Sequence, residues 1–192
     1  MFGAVLSRSR CTVSDSNRGF TLIELLAVVV ITGILSVVAV EGFRRHMQAA
    51  RGAEPVAVIV AIRSAQEAYM AENHVYLNVS TDSGGKTWYP RITPNKDHAS
   101  FVASNQPDYP RWRQLAPSIK QSVMFSYLVN AGVPGTVIPP LQELTAGPSY
   151  TVAQPLDWYM IQAKGDVDGN GVFSHYASSS MSGELYIENE SE

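Results

Sequence analysis

Residues Phe20 to Val40 form an apolar run that carries a single charge, Glu24. At about 1.5 Å per residue this run makes a helix about 31 Å long, close to the roughly 30 Å hydrocarbon core of a bilayer. It therefore predicts a membrane-spanning helix. A carboxylate near the start of such a helix is costly to bury and needs a partner. Thr32 and Gly33 interrupt the aliphatic residues without breaking a helix in lipid. The run is longer than the core of an ordinary signal peptide, and no small-x-small cleavage pattern follows it, so a conventional secretory signal fits poorly. Arg8, Arg10 and Arg18 precede the run, while Arg44, Arg45 and Arg51 follow it. The two groups favour opposite orientations, and charge counting alone leaves the orientation open.

The rest of the composition narrows the class. Charged residues make up 16% of the 192-residue chain and the net charge is −3, which gives no global signal for nucleic-acid binding. The one cysteine, Cys11, lies before the apolar run. A chain that lost its first nineteen residues would have no cysteine, and a disulfide framework would be excluded. Four scattered histidines, His46, His74, His98 and His175, show no metal-ligand spacing. There is no G-x-S-x-G nucleophile elbow and no phosphate-binding glycine loop. Ser178, Ser179 and Ser180 near His175 read as a polar loop. These features predict a structural chain rather than an enzyme.

The segment Arg18-Gly19-Phe20-Thr21-Leu22-Ile23-Glu24, followed by Leu25-Leu26 and the aliphatic run, resembles the N-terminus of the class III prepilins, the type IV pilins and related pseudopilins. The resemblance implies cleavage between Gly19 and Phe20 by a membrane peptidase on the cytoplasmic face, and N-methylation of the new Phe20 amine. It also implies an N-terminus inside the cell. Removing the leader, residues 1–19, takes away three arginines and Asp15, which leaves 11 basic and 16 acidic residues and a net charge of −5. In the family the carboxylate corresponding to Glu24 is taken to meet the Phe20 amine of a neighbouring subunit, and low dielectric strengthens such a pair. Glu24 also lies four residues after Phe20, so a pair within one helix is possible. The implied partners are other pilins in a polymer, the prepilin peptidase and methylase, an inner-membrane assembly platform and the membrane lipid. The implied location is a single-pass inner-membrane subunit that becomes part of a periplasm-spanning or cell-surface filament.

The helical pattern continues beyond Val40. Val58, Ile62, Ala65 and Tyr69 mark one apolar face, and Arg63, Gln66, Glu67 and Glu72 are left for the remaining surface. One helix is expected from Phe20 to about Glu72, with its second half packed on a sheet. Many type IV pilins carry proline where this chain has Glu41, followed by Gly42, a weak helix point. Gly52 and Pro55 form a second weak point, where a kink is expected. Glu41 is placed for same-face pairing with Arg44 or Arg45.

From Asn78 onward turns and short apolar runs dominate. Ser83-Gly84-Gly85-Lys86 and Pro134-Gly135 are loop signals. Strands are expected at Val123–Leu128, Ser149–Ala153, Trp158–Ala163, Val172–Ala177 and Glu184–Ile187. The fold class is therefore α+β, a long N-terminal helix against a small antiparallel sheet in a pilin-like arrangement. The expected division is a leader at 1–19, a membrane and polymerisation helix at 20–41, the extracytoplasmic half of the helix at 42–77, and a β-rich globular domain at 78–192. The ending Gly183–Glu190 and the loop Gly165–Gly171 are also similar to long pilin-like proteins of gliding or delta-proteobacterial type.

Three further patterns carry expectations. Asp166, Asp168 and Asn170, followed by Gly171, resemble the first half of a calcium loop. The twelfth position is Ala177, so the usual bidentate glutamate is missing and a full EF-hand is excluded. A calcium (Ca2+) site completed by other residues competes with a polar hairpin turn. Residues 84–120 are basic and residues 121–192 carry eight acids against Lys164, so faces of opposite sign could meet between neighbouring subunits. The basic part is also aromatic, with Trp88-Tyr89-Pro90-Arg91 and Tyr109-Pro110-Arg111-Trp112-Arg113. Such aromatics suit stacking on DNA bases, against the competing reading of loops packed onto the sheet. The leading function is a type IV pilus subunit. The alternatives are a type II secretion pseudopilin and a minor tip pilin that binds DNA or a surface.

Overall fold

A computed structural model of the chain describes residues 19–80, 87–102, 105–145 and 152–190, the side chains of Arg45, Gln48 and Ala49 apart. Its longest element is the helix α1, Leu22–Asn73, of 52 residues. Two compact units divide the chain, Met1–Phe43 and Arg44–Glu192.

In the first unit every described residue is exposed and almost all are apolar. The stretch Leu22–Arg44 is long and apolar enough to cross a membrane by length and composition. A helix that is apolar all round is stable only when something apolar surrounds it. The polar side chains within the run are satisfied locally. Thr32 Oγ1 donates to the carbonyl of Val28 at 2.7 Å, and Ser36 Oγ donates to that of Thr32 at 2.7 Å. This back-bonding lets hydroxyls reside in lipid without an unpaired donor.

The second unit is an α+β layer. The helix continues through Pro55, whose side chain is buried. It ends after Asn73, where His74 takes a left-handed φ of 60° and its N–H reaches the carbonyl of Met70 at 2.9 Å. That geometry closes the last turn and stops the helix. Strands β1 (Ala99–Ser100) and β2 (Ser122–Val123) form a small antiparallel pair, with the helix α2 (Tyr109–Leu115) between them in sequence. Strands β3 (Ser126–Gly132), β4 (Trp158–Gly165), β5 (Ser174–Ser179) and β6 (Leu185–Glu188) make an antiparallel meander in that order.

Strand alternation sorts the sheet into two faces. Tyr127, Val129 and Ala131 of β3, Tyr159, Ile161 and Ala163 of β4, and Tyr176 of β5 pack in one core with Val58, Ile59 and Ile62 of α1. The other face would ordinarily meet water, yet it is buried as well. Ile138 and Leu141, from the β3–β4 connection, lie over Trp158 and Met160. Cover on both faces explains why β4 and β5 are buried at every residue instead of at alternate ones.

Polar side chains of α1 clamp the loops of this unit. The Glu54 carboxylate accepts the N–H groups of Met124 and Phe125 at 2.8 and 3.2 Å, at the turn between β2 and β3. Arg51 donates to the carbonyl of Val167 at 3.1 Å. Gln66, expected on the surface, is fully buried. It donates to the Leu77 carbonyl at 2.8 Å and accepts the Leu77 N–H at 3.0 Å. A primary amide can satisfy both backbone groups of one residue, which is why it is tolerated in the core.

Most of the expected strands lie within a few residues of the observed ones. The expected strand Val123–Leu128 is instead two, because the Glu54 carboxylate captures the Met124 and Phe125 amides between β2 and β3. Of Ser149–Ala153, residues 149–151 lie outside the described residues, and Val152 and Ala153 are not in a strand. The leader residues before Gly19 and the loop Ser83–Lys86 also lie outside them. Helix α2 lies where the sequence pattern suggests a loop. It starts with Pro110 in its first turn, where a missing N–H costs nothing, and stops at Ala116 with a left-handed φ of 48°.

Candidate assembly site

The sequence places Glu24 three residues after Thr21, and in the structure these two residues begin α1 together. The Thr21 N–H and Thr21 Oγ1 each donate to Glu24 Oε2 at 2.8 Å. The Glu24 N–H donates back to Thr21 Oγ1 at 3.3 Å. This is a capping box: the residue before the helix and the third residue within it satisfy each other's free groups. A carboxylate here also meets the positive end of the helix dipole. The local signal for this cap is Thr-x-x-Glu ahead of an apolar run. Glu24 Oε1 is not used by the capping box. Gly19 and Phe20 precede the helix as an exposed, non-helical segment. No side-chain atom stands within 4 Å of where a Gly19 Cβ would lie. The backbone just before the cap is thus exposed among the described residues.

The aromatic and basic residues of the second unit are arranged differently from a stacking platform. Trp88, Tyr89 and Trp112 are buried. The Tyr89 ring stacks on Trp112 at 5.1 Å and meets Phe101 edge-on at 4.9 Å. Arg91 donates to the carbonyls of Asp97 and His98, at 3.0 and 3.2 Å. Arg111 donates to the carbonyl of Asn78 at 3.1 Å. These aromatics are buried in the core, which fits the reading of loops packed onto the sheet rather than a base-stacking platform for them.

The loop between β4 and β5 is closed by its own side chains. Asp166 accepts the N–H groups of Gly169 and Gly171, at 2.8 and 3.1 Å. Asp168 accepts from the Asn170 N–H at 3.0 Å, and Asn170 accepts from Val172 at 2.6 Å. Gly169 and Gly171 have φ of 80° and 85°, which L side chains adopt only with strain. Among the described residues, no three His, Cys, Asp or Glu side chains gather as a metal site. The oxygens named for calcium accept loop amides here, the arrangement of the competing polar hairpin turn. Melting the protein in millimolar calcium and in chelator should give equal midpoints. A calcium-dependent rise would show that the ion displaces these amides.

A charged cluster lies on the sheet face away from α1. Lys164 is buried on β4 and pairs with Glu143 at 3.0 Å. Its ammonium also sits over the rings of Trp88 and Phe173, at 4.8 and 5.2 Å. His175 is the cross-strand partner of Lys164, and Glu188 is the partner of His175 on the next strand. Glu188 in turn accepts from the N–H of Thr145 at 3.1 Å and from its hydroxyl. The pKa of His175 is lowered, chiefly by desolvation and also by Lys164, while Glu143 and Glu188 pull it up. Its protonation therefore opposes folding. Stability contributed by neutral His175 is complete above the ordinary histidine range and falls as pH drops through it toward the lowered folded value. Melting midpoints should decline between about pH 7 and 5, and a His175→Gln variant should lose that part of the slope.

An apolar span follows Gly19-Phe20 and begins with the capped Glu24. A family described as the prokaryotic N-terminal methylation motif matches residues 15–40. The chain is 36% identical over 63 residues to the type II secretion system core protein G of Escherichia coli (strain K12), covering 33% of this chain and 43% of the relative. It is 35% identical over 68 residues to the type IV major pilin protein PilA of Myxococcus xanthus (strain DK1622), covering 35% of this chain and 31% of the relative. A type II secretion system core protein G of Pectobacterium carotovorum subsp. carotovorum is 31% identical over 86 residues, 45% of this chain and 54% of the relative. The match spans from 31% to 54% of these relatives' own lengths. No solved structure matches the chain.

Proposed function

We propose that this chain is a structural subunit of a type IV pilus, cut after Gly19, N-methylated at Phe20 and polymerised through α1. The observation that carries the reading is the capped Glu24 at the start of an apolar helix whose described residues are exposed on every side. Its exposed aliphatics would be covered by lipid before assembly and by neighbouring helices afterwards. Glu24 Oε1 then serves the Phe20 amine of a neighbour, while Oε2 keeps its own helix capped. One carboxylate joins helix initiation to subunit register. The leader at 1–19, the membrane and polymerisation helix at 20–41, the extracytoplasmic helix at 42–77 and the globular domain at 78–192 follow from this assignment, with the N-terminus cytoplasmic before assembly. The prepilin peptidase, the methylase and an assembly platform are the partners it requires.

A type II secretion pseudopilin is the second reading, favoured by the similarity to two type II secretion system core proteins. Negative-stain imaging of cells that express the chain separates the two. Long surface filaments labelled by an antibody to residues 78–192 support the pilus. Filaments confined to the envelope support the pseudopilin.

A further inference from the structure

We propose that the exposed apolar end of the β3–β4 connection inserts into an aromatic socket on a second copy of the chain, joining globular domains head to tail. This rests on the polymer reading above and adds a specific contact to it.

The inserting element is built by two segments. The Gly135 N–H reaches the Gln154 carbonyl at 2.7 Å, and the Gln154 N–H reaches the Thr136 carbonyl at 2.9 Å. These bonds hold residues 133–137 beside residues 152–156. Four aliphatic side chains stand out from this short ribbon: Val133, Val137, Val152 and Leu156, the last two 70% and 74% exposed. Their backbone is tied down, so they form a shaped projection.

The receiving element is a cavity of about 150 Å³ lined by Phe101, Val102, Tyr109, Trp112, Pro117 and Ile119, with Arg113 at its edge. The Arg113 guanidinium lies 6.0 Å from the Tyr109 ring centre. Val102 is exposed at this site while Trp112 forms its buried wall. The volume admits one aliphatic side chain, and the aromatic lining would remove its apolar surface from water.

Two features select a second copy as the occupant. Asp157, partly exposed, follows the projection's Leu156 in sequence and is opposite in sign to Arg113 of the socket, and each belongs to a larger segment of its own sign. The two elements are also at different places on the unit. Tyr89 of the socket wall bridges to Tyr127 near the start of β3, whereas the projection begins after Gly132 at its end. Five residues of strand separate them by about 17 Å. Two distinct complementary patches on one chain make a heterologous contact, which propagates without closing into a two-fold dimer.

The test uses the full chain with Cys11→Ser, in cells whose wild-type filaments have been imaged. Val102→Cys with Leu156→Cys should give a ladder of disulfide-linked multimers on oxidation, and either cysteine alone should give none. Separately, Arg113→Asp and Asp157→Arg should each reduce sheared filament yield about fivefold, and the double exchange should restore it to within about twofold. Filaments that form normally without a ladder and without charge rescue would overturn the socket and leave the polymer standing. Dimers from Leu156→Cys alone would overturn the head-to-tail geometry. Absence of wild-type filaments would overturn both readings.

Discussion

Glu24→Val is expected to give a chain that is still cut after Gly19 but enters filaments on the order of 100-fold less than wild type, because one buried charge is left without its partner. On the proposed pilus reading the cut falls at the Gly19–Phe20 bond, which the substitution does not touch. Assembly loses the anion that would receive the neighbour's Phe20 amine. Thr21→Ala separates the two roles of this carboxylate. It removes the hydroxyl bonds of the capping box and leaves the carboxylate in place, so filaments should remain abundant. Quantifying sheared filaments and the processed membrane pool by immunoblot reads both effects. Normal filament yield from Glu24→Val, or equal loss from Thr21→Ala, would remove the pairing role.

The second large effect falls on the sheet. Lys164 is 6% exposed and Glu143 46% exposed, so the pair is half-buried and its removal is asymmetric. Glu143→Ala strands a buried ammonium and should destabilise the globular unit by about 2 kcal/mol, less than a fully buried pair because the carboxylate is half in water. Lys164→Met removes the charge and fills similar volume between Trp88 and Phe173. It should lie within about 1 kcal/mol of wild type. Glu143 holds a left-handed φ of 60°, a conformation that costs about 1–3 kcal/mol and persists where surrounding contacts fix it. Urea melts of a chain beginning at Arg44 measure both variants. A larger loss from Lys164→Met than from Glu143→Ala would contradict the assignment.

Much of this architecture was legible from two periodicities. The apolar run at 20–40 and the Val58, Ile62, Ala65, Tyr69 face gave one helix to within two residues of its observed ends, because span length and helical spacing are local properties. The hairpin of β4 and β5 followed from apolar runs flanking a glycine-containing turn. Other features depend on contacts between distant residues. Gln66 looks like a surface residue by type and becomes a core residue only because Leu77 returns beside it. Glu54 carries no local sign that it will cap the turn between β2 and β3, 70 residues away. The aromatics at 88–89 and 112 are compatible with either a stacking surface or packed loops by type, and only the fold shows them in the core. Burial of β4 and β5 on both faces likewise depends on where the β3–β4 connection goes. At the assembly site the glycine, aromatic and carboxylate were local and readable. The Thr21–Glu24 capping box was equally local and shows that Glu24 already has work to do in a single chain.

Mass spectrometry of filaments sheared from cells tests the central claim most directly. The account predicts that this chain is an abundant component whose N-terminal peptide begins at N-methylated Phe20 and lacks residues 1–19. Filaments that lack the chain, or a filament subunit that retains its leader, would contradict it.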